Sequence, residues 1–321
     1  MKLNFNNFKK KLKNYNCFDK NPHCAVAVSG GPDSILLTIL LKKWINEING
    51  RLTAIIIDHN VRKNSKDESI EVKNYLKKIK IHSKIIKLTH FKNHSFSMNY
   101  LRERRYKSLT SFCKKNNILH LFLGHQLDDN IETYIGRRIA GSNIEGLRGI
   151  NELVVLNKIL LIRPLLNFRK KQIYNFLNNE NIKFIEDPTN TNYNYTRSII
   201  RKSIKNNRNF SLFNNEFNKM KKIIPLYFYS VMKILIENSI KVNKSEIIIN
   251  YDTFNVYDDL LIERVISSIY SFFFGQKIRL KSKKIQLMTK NIRLNQISKQ
   301  NLKSLIINRN KNLLEFSPKR S

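Results

Sequence analysis

The residues best suited to chemistry are Ser29-Gly30-Gly31-Pro32-Asp33-Ser34, which lie between an apolar run and a helical one. Two adjacent glycines let the backbone turn tightly and approach a ligand closely. Pro32 suits the first turn of a helix, where its missing N–H costs nothing. The helix N-terminus that follows offers free N–H groups and a partial positive charge, and Ser29 and Ser34 add hydroxyl donors. Such a constellation cradles a phosphate group. It is neither a Walker A loop, since GK[ST] is absent, nor a GxGxxG loop; Gly136 to Ser142 (GRRIAGS) is superficially similar but lacks the lysine. With Asp33 in place of a lysine, the loop suits a grip on pyrophosphate or Mg²⁺-pyrophosphate, and chemistry at an α-phosphate that leaves AMP. The plain alternative is a serine-glycine turn that opens a helix.

The elements around this loop alternate. His23 to Val28, Leu52 to Asp58, Ser83 to Leu88 and Leu119 to Leu123 read as strands. Helical stretches separate them at Ile35 to Ile45, after the Ser65-Lys-Asp-Glu68 capping pattern, at Leu101 to Lys115 and at Ile131 to Ile139. This βα repetition predicts an α/β fold with a doubly wound parallel sheet, and places the loop at the carboxyl end of the first strand, where such sheets bind ligands. Leu153 to Ile162 then reads as a hairpin or other paired run, Arg169 to Asn179 as a helix, Lys183 to Glu186 as a short strand, and Tyr195 to Lys205 as a basic helix. The expected organisation is a catalytic domain over 1–205, an Asn-rich linker over 206–219, and a smaller, mainly helical C-terminal domain over 220–321.

The whole chain has 321 residues, 59 Lys+Arg against 24 Asp+Glu, and a formal charge of +35. The length suits about two domains of roughly 150 residues each. An apolar content of 41% excludes a disordered chain, and 9 Gly with 6 Pro exclude collagen-like and low-complexity classes. The charge points to a polyanionic partner, although drift in base composition accounts for part of the lysine. Three scattered cysteines, Cys17, Cys24 and Cys113, form no CxxC pair, which excludes a disulfide framework and disfavours a cysteine zinc site. A reduced, cytoplasmic setting fits. No apolar run follows the N-terminal lysines, so no secretory signal is expected. Ile223 to Ile236, interrupted by Pro225 and Lys233, is too short to span a membrane and reads as a core helix.

SGGPDS after an apolar strand resembles the PP-loop of the N-type ATP pyrophosphatases, and the order of further motifs resembles one branch, the tRNA(Ile)-lysidine synthases. Asp58-His59-Asn60-Val61-Arg62 is similar to the family's DHGLR segment, and Arg102-Glu103-Arg104-Arg105-Tyr106 to REARY. Gly124-His125-Gln126-Leu127-Asp128-Asp129-Asn130-Ile131-Glu132-Thr133 resembles GHHxDDQxET, Gly146-Leu147 a GL segment, and Arg163-Pro164-Leu165-Leu166 RPLL. Glu186-Asp187-Pro188-Thr189-Asn190 with Tyr195, Arg197 and Arg201 resembles EDPSN followed by a Tyr/Arg helix. The likeness runs from about residue 24 to residue 201. Gln126 departs from the second His, Asn60 from Gly, Ala140-Gly141-Ser142-Asn143 from RGSG, and Ser198 from Asn.

The resemblance implies ligation of lysine to C2 of the wobble cytidine in the CAU anticodon of tRNA(Ile). ATP first adenylates the C2 carbonyl oxygen, and the lysine ε-amine then displaces AMP. Implied ATP-binding residues are Ser29, Gly30, Gly31, Pro32, Asp33 and Ser34, with Asp58 and His59 near the adenosine. Asp33, Asp128 and Asp129 would supply hard oxygens to Mg²⁺. Asp33, His125, Asp128, Asp129 and Glu132 form the implied catalytic group, with a carboxylate or His125 as anchor or base for the ammonium. Arg102, Arg105, Arg137, Arg138, Arg163, Arg197 and Arg201 are the implied tRNA and substrate contacts. For the paired aspartates, a solvated loop capping the next helix is the plain alternative; for Asp58-His59, a capping turn; for His125, a satisfied structural histidine; for the arginines, a solvated basic face. Phe272-Phe273-Phe274-Gly275, followed by Lys277, Arg279, Lys281, Lys283 and Lys284, either clamps tRNA phosphates or is core beside a basic edge.

Implied partners are the CAU tRNA(Ile) and free L-lysine, with no membrane; a homodimer is plausible for the family. Two other readings compete. A tRNA 2-thiolase of the PP-loop type would need reactive cysteines or a CxxC-held cluster. A non-catalytic RNA-binding relative would have no reason to keep SGGPDS together with DD…ET.

Overall fold

A computed structural model describes residues 2–59, 65–88, 98–185, 196–275, 283–294, 296 and 299–319, with backbone alone for Met98, Thr196 and Arg197. The chain divides into two compact units, Met1–Asn218 and Lys219–Ser321. The first holds α1 (Phe5–Tyr15), β1 (His23–Val28), α2 (Pro32–Glu47), β2 (Arg51–Asp58), α3 (Ser65–Lys78), β3 (His82–Lys87), α4 (Met98–Lys115) and β4 (His120–Phe122). It continues with α5 (Leu127–Ile139), a 3-10 turn at Gly146–Arg148, β5 (Leu153–Leu156), β6 (Ile159–Ile162), α6 (Lys170–Asn179), α7 (Thr196–Ile204) and the start of α8 (Asn207–Asn238). Residues 207–219, expected as part of a linker, are the first turns of α8.

The sheet of this unit has the order β3-β2-β1-β4-β6-β5. All neighbours run parallel except β5, which pairs antiparallel with β6. That last pair is the expected hairpin, and its turn residues Asn157 and Lys158 both have positive φ, 52° and 67°, as a tight two-residue connection requires. Lys183–Ile185, expected as a strand, joins no sheet among the described residues; its only ladder-like contact is the Ile185 amide, which donates to the Gly30 carbonyl at 3.0 Å.

Both faces of the sheet are covered, and the strand sequences show why. In β1, Cys24, Val26 and Val28 point into one core with Phe8 and Leu12 of α1, Leu36 and Leu40 of α2, Val72 and Leu76 of α3 and Ile173 and Leu177 of α6. Ala25 points the other way, with Ile55 and Leu121, against Leu109 and Cys113 of α4. A strand buried on both faces reads as a continuous apolar run, as β1, β2 and β6 do.

The order of the strands also fixes where a ligand can enter. From β1 the chain moves outward through β2 to β3, then returns to place β4 on the opposite side of β1. The loops after β1 and β4 therefore diverge and open a crevice at the carboxyl ends of these two strands.

The second unit holds the rest of α8, then β7 (Ser239–Val242), β8 (Ile247–Asn250), α9 (Tyr251–Phe254), α10 (Asp259–Phe274), α11 (Lys283–Arg293), β9 (Lys299–Leu302), β10 (Leu305–Asn310) and β11 (Leu313–Pro318). Helix is the larger share of this unit, as expected. The helices pack on an antiparallel sheet of order β7-β8-β11-β10-β9, which the sequence reading did not anticipate. Ile247, Ile249, Leu305, Ile307, Leu314 and Phe316 alternate onto the face that meets Ile262, Val265, Ile266 and Ile269 of α10 and Ile285 and Met288 of α11. Phe273 and Phe274 pack partly against this core and Phe272 is exposed; Lys277, Arg279 and Lys281 lie outside the described residues. Along the expected core helix Ile223 to Ile236, only one face is buried (Ile224, Val231, Ile234), while Ile223, Leu226 and Ile236 are exposed. Among the described residues no helix is long and apolar enough to cross a membrane.

Candidate active site

The loop Ser29–Gly31 links β1 to α2 at the crevice. Gly30 has φ +87°, and a Cβ there would lie 2.7 Å from the Val72 side chain, so the turn needs glycine on both counts. Ser34 holds the loop from within: its hydroxyl donates to the Gly31 carbonyl at 3.0 Å and accepts from the Ser29 amide at 3.2 Å. Ser29, by contrast, is exposed. Gly31 is the N-cap of α2 with no side-chain cap, and Pro32 opens the helix. The first turn of α2 thus keeps donors that no side chain of its own cap satisfies.

The second wall is the segment after β4. A Cβ on Gly124 would lie 3.1 Å from the Asp33 carbonyl carbon and 3.1 Å from the Ser34 nitrogen. Only glycine lets the end of β4 press so closely on the first turn of α2. Gln126, the departure from the family pattern, is buried and caps α5. Its Oε1 accepts from the Asp128 amide at 2.5 Å, while Asp129 Oδ2 accepts from the Gln126 amide at 3.1 Å.

Asp128 closes a third helix end. Its Oδ2 accepts from the Lys170 amide at 2.9 Å, at the start of α6, and the Leu127 amide donates to the Phe168 carbonyl at 2.9 Å. Arg169 Nη2 lies 3.8 Å from Asp128 Oδ1, and its guanidinium stacks 3.4 Å over the Phe210 ring. The N-termini of α2, α5 and α6 thus gather at the crevice, and the paired aspartates cap two of them.

Glu132, buried on α5, accepts from Arg201 Nε of α7 at 2.8 Å. Burial works against the charge of Arg201, but Glu132, and then Asp129 and Asp33, raise its pKa. Burial, then the carboxylate of Asp129, push the Asp33 carboxyl up to about 7; Lys170 opposes this rise, Asp128 adds to it and Arg201 again opposes it. Asp33, Asp128, Asp129 and Arg201 therefore act on one another at one place. Lys170 joins them without having been foreseen, because it carries no motif beyond its place at the start of a helix.

Asp58 is buried at the end of β2, and His59 follows it, half-buried. His125 is half-buried beside Gln126. Arg62, Glu186 to Asn190 and Tyr195 lie outside the described residues, as does the side chain of Arg197.

A second group of cations lies at the same end of the sheet. Arg163 directly follows β6 and is buried, with its Nη1 donating to the Asn151 carbonyl at 2.8 Å. Arg102 and Arg105 of α4 both place their guanidinium carbons 5.4 Å from the centre of the Tyr106 ring. Burial would raise the Tyr106 phenol, but Arg163, then Arg102 and Arg105, pull it below its ordinary value. Burial lowers Arg105, and the charges of Arg102 and Arg163 lower it further against the help of Tyr106. Arg137 serves the fold: Nη1 donates to the carbonyls of Gly146 at 2.9 Å and Gly149 at 3.1 Å. Arg138 pairs with Glu216.

Residues 3–208 match the PP-loop domain family. The chain belongs to the PP-loop family. Over 199 residues this PP-loop chain is 34% identical to the tRNA(Ile)-lysidine synthase of Orientia tsutsugamushi (strain Boryong), a match covering 62% of the chain and 45% of the relative. Over 180 residues it is 36% identical to the synthase of Rickettsia akari (strain Hartford), covering 56% and 42%. The chain thus spans less than half the length of these curated relatives. Among solved structures, the PP-loop fold is shared with the U34-tRNA thiolase NcsA from Methanococcus maripaludis with its [4Fe-4S] cluster, at a TM-score of 0.56 and 18% identity over 68% of this chain and 79% of that one.

Proposed function

We propose that this PP-loop protein is a tRNA(Ile)-lysidine synthase, joining L-lysine to C2 of the wobble cytidine in the CAU anticodon with release of AMP and pyrophosphate. The observation that carries the reading is the first turn of α2, which among the described residues has no side-chain cap and sets Asp33 near Asp128 and Asp129 at the switch point of the sheet. The curated synthases matched over this same unit support it.

The ATP phosphates lie on the amides of α2, which face developing negative charge without reorganising. The exposed hydroxyl of Ser29 adds a donor, while Ser34 keeps the loop in shape. Asp58 and His59, at the end of the neighbouring strand, border the adenosine. Mg²⁺ fits the acidic residues. Among the described residues, Asp33 Oδ1 is buried without a hydrogen-bond partner, and a dication relieves the mutual repulsion that raises this carboxyl. Asp33 would hold it, joined by Asp128 or Asp129; one or two carboxylates plus phosphate oxygens is the usual protein share for this ion. When bound, it neutralises charge on the phosphates as the α-phosphate is attacked.

Attack on the α-phosphate by the C2 oxygen turns a poor leaving group into a good one. In the second step the lysine ε-ammonium must be held and deprotonated. The carboxylates beside α5 attract it, and His125, next to them, is the base within the same segment. The cations Arg102, Arg105 and Arg163, crowded enough to depress Arg105, suit the phosphates of tRNA, as does Arg201 at the edge of the acidic cluster.

A 2-thiolase is the weaker reading. Cys24 and Cys113 are both fully buried, with thiols pushed up to about 12, so neither is poised as a nucleophile. The test mixes the protein with ATP, Mg²⁺, labelled lysine and CAU tRNA(Ile). Label should enter that tRNA and not methionine tRNA; no transfer, or equal transfer to both, contradicts the reading.

A further inference from the structure

We propose that Lys170 is a phosphate-contacting residue, supplying on the β- and γ-phosphates that leave as pyrophosphate the cation that Ser29–Ser34 lacks. This rests on the reading that ATP binds at the loop.

Three placements lead there. First, Asp128 grips the Lys170 amide at 2.9 Å and thereby fixes the start of α6 to the start of α5. The segment just before α5 presses on the first turn of α2 through Gly124, so Lys170 begins its helix beside the loop rather than along the outer surface. Second, the Lys170 ammonium lies 5.5 Å from the centre of the Tyr174 ring. Tyr174 packs edge-on against Phe184, with ring centres 5.3 Å apart, and the next residue, Ile185, donates its amide to the Gly30 carbonyl. The backbone of Lys170 is thus tied to the start of α5, and its ammonium leans on a chain of contacts that returns to the loop at Gly30. Third, the Lys170 ammonium lies near enough to Asp33 to interact with its charge, yet among the described residues it makes no ion pair with a carboxylate. Arg201, the other cation facing Asp33, is engaged by Glu132.

A Walker A loop carries its lysine within the loop. Here the loop carries an acid, and the cation arrives from a different helix, held by a cap that the paired aspartates provide. A lysine on the leaving phosphates acts as a point charge with three donors.

The experiment uses the full chain and measures equilibrium binding of Mg²⁺-ATP, Mg²⁺-pyrophosphate and AMP to the wild type and to K170M and K170R. K170M should bind ATP and pyrophosphate about tenfold more weakly. Its AMP affinity should be unchanged, because AMP lacks the leaving phosphates. K170R, which keeps the charge, should recover most of the loss. K170Q removes the charge with a polar side chain, in case K170M is poorly folded by circular dichroism. Unchanged pyrophosphate binding in a folded charge-removing variant overturns the proposal, as does an equal loss for AMP. A wild type that binds neither ATP nor pyrophosphate instead overturns the ATP reading itself, and this inference with it.

Discussion

Three helices end at the same crevice, and they are finished differently. The N-termini of α5 and α6 are closed by the protein's own side chains: Gln126 and Asp129 on one, Asp128 and Gln172 on the other. The N-terminus of α2 has glycine at its cap and, among the described residues, no side-chain cap hydrogen bond. A helix N-terminus attracts an anion wherever it occurs, so the capping pattern decides which one is left for a ligand. The same pattern divides the acidic residues. Asp128 and Asp129 each commit one oxygen to a backbone amide, whereas Asp33 stands at the open end with a raised pKa. The residue types of the three aspartates are identical; their places make one a candidate for chemistry and two chiefly builders of the site.

The largest effect should come from setting Asp33 against Asp128. Asp33→Asn should lower tRNA-dependent AMP formation about a hundredfold or more, with tRNA binding by gel shift unchanged. Asp128→Asn keeps an acceptor for the Lys170 amide, and should cost less than about tenfold. Equal losses in the two variants would erase the distinction between the open and the capped ends. Next is Gly124→Ala, whose new methyl would press on the backbone of Asp33 and Ser34. A destabilisation of about 1–3 kcal/mol in urea titrations is expected, together with a raised KM for ATP. Normal stability and KM would mean that the two walls do not need this close approach.

The pH dependence sharpens the contrast further. The folded Asp33 carboxyl sits at about 7 against an ordinary 3.8, so the folded state keeps this proton longer than the unfolded chain does. Its contribution is fully present below about 4 and is lost as pH rises through about 7. Stability of the unliganded protein should therefore decline across this window more steeply in the wild type than in Asp33→Asn. Parallel curves would remove Asp33 from its buried, like-charged setting. The smallest effect belongs to Gln126→Ala, which opens the cap of α5 and should cost about 1 kcal/mol in thermal or urea melts, with little change in KM for ATP. A large KM effect would show that the α5 end also serves the nucleotide.

Much of this architecture can be read in the residues themselves. The apolar run His23–Val28, the Gly-Gly-Pro turn and the helix after it are local signals, and alternation with later strands is enough to predict a doubly wound sheet. The Asn157-Lys158 turn is legible in the same way. The caps are less so: Gln126 is an uncommon N-cap, and nothing in Gln-Leu-Asp-Asp tells a cap from a metal ligand until the neighbouring helix is in place. Lys170 is invisible because its role depends on α6 starting beside α5, a contact between residues more than forty positions apart. The C-terminal sheet escapes notice because its strands are four to six residues long and their alternation is diluted by the Lys and Asn that abound throughout the chain. Lys183–Ile185 misleads in the opposite direction: it is apolar enough to suggest a strand, yet Phe184 and Ile185 pack on the main core without joining a sheet among the described residues. The positive charge, finally, is no uniform coat at the site: Arg137 and Arg138 are spent on the fold, and the cations left facing one another are Arg102, Arg105 and Arg163.

The central claim is that the open end of α2 holds ATP for attack at its α-phosphate by tRNA. ATP labelled at the α-phosphate, incubated with the protein, Mg²⁺, lysine and CAU tRNA(Ile), tests it most directly. The account predicts labelled AMP in step with lysine incorporation, and none when that tRNA is omitted. Labelled ADP as the product, or AMP formed equally without tRNA, would contradict it.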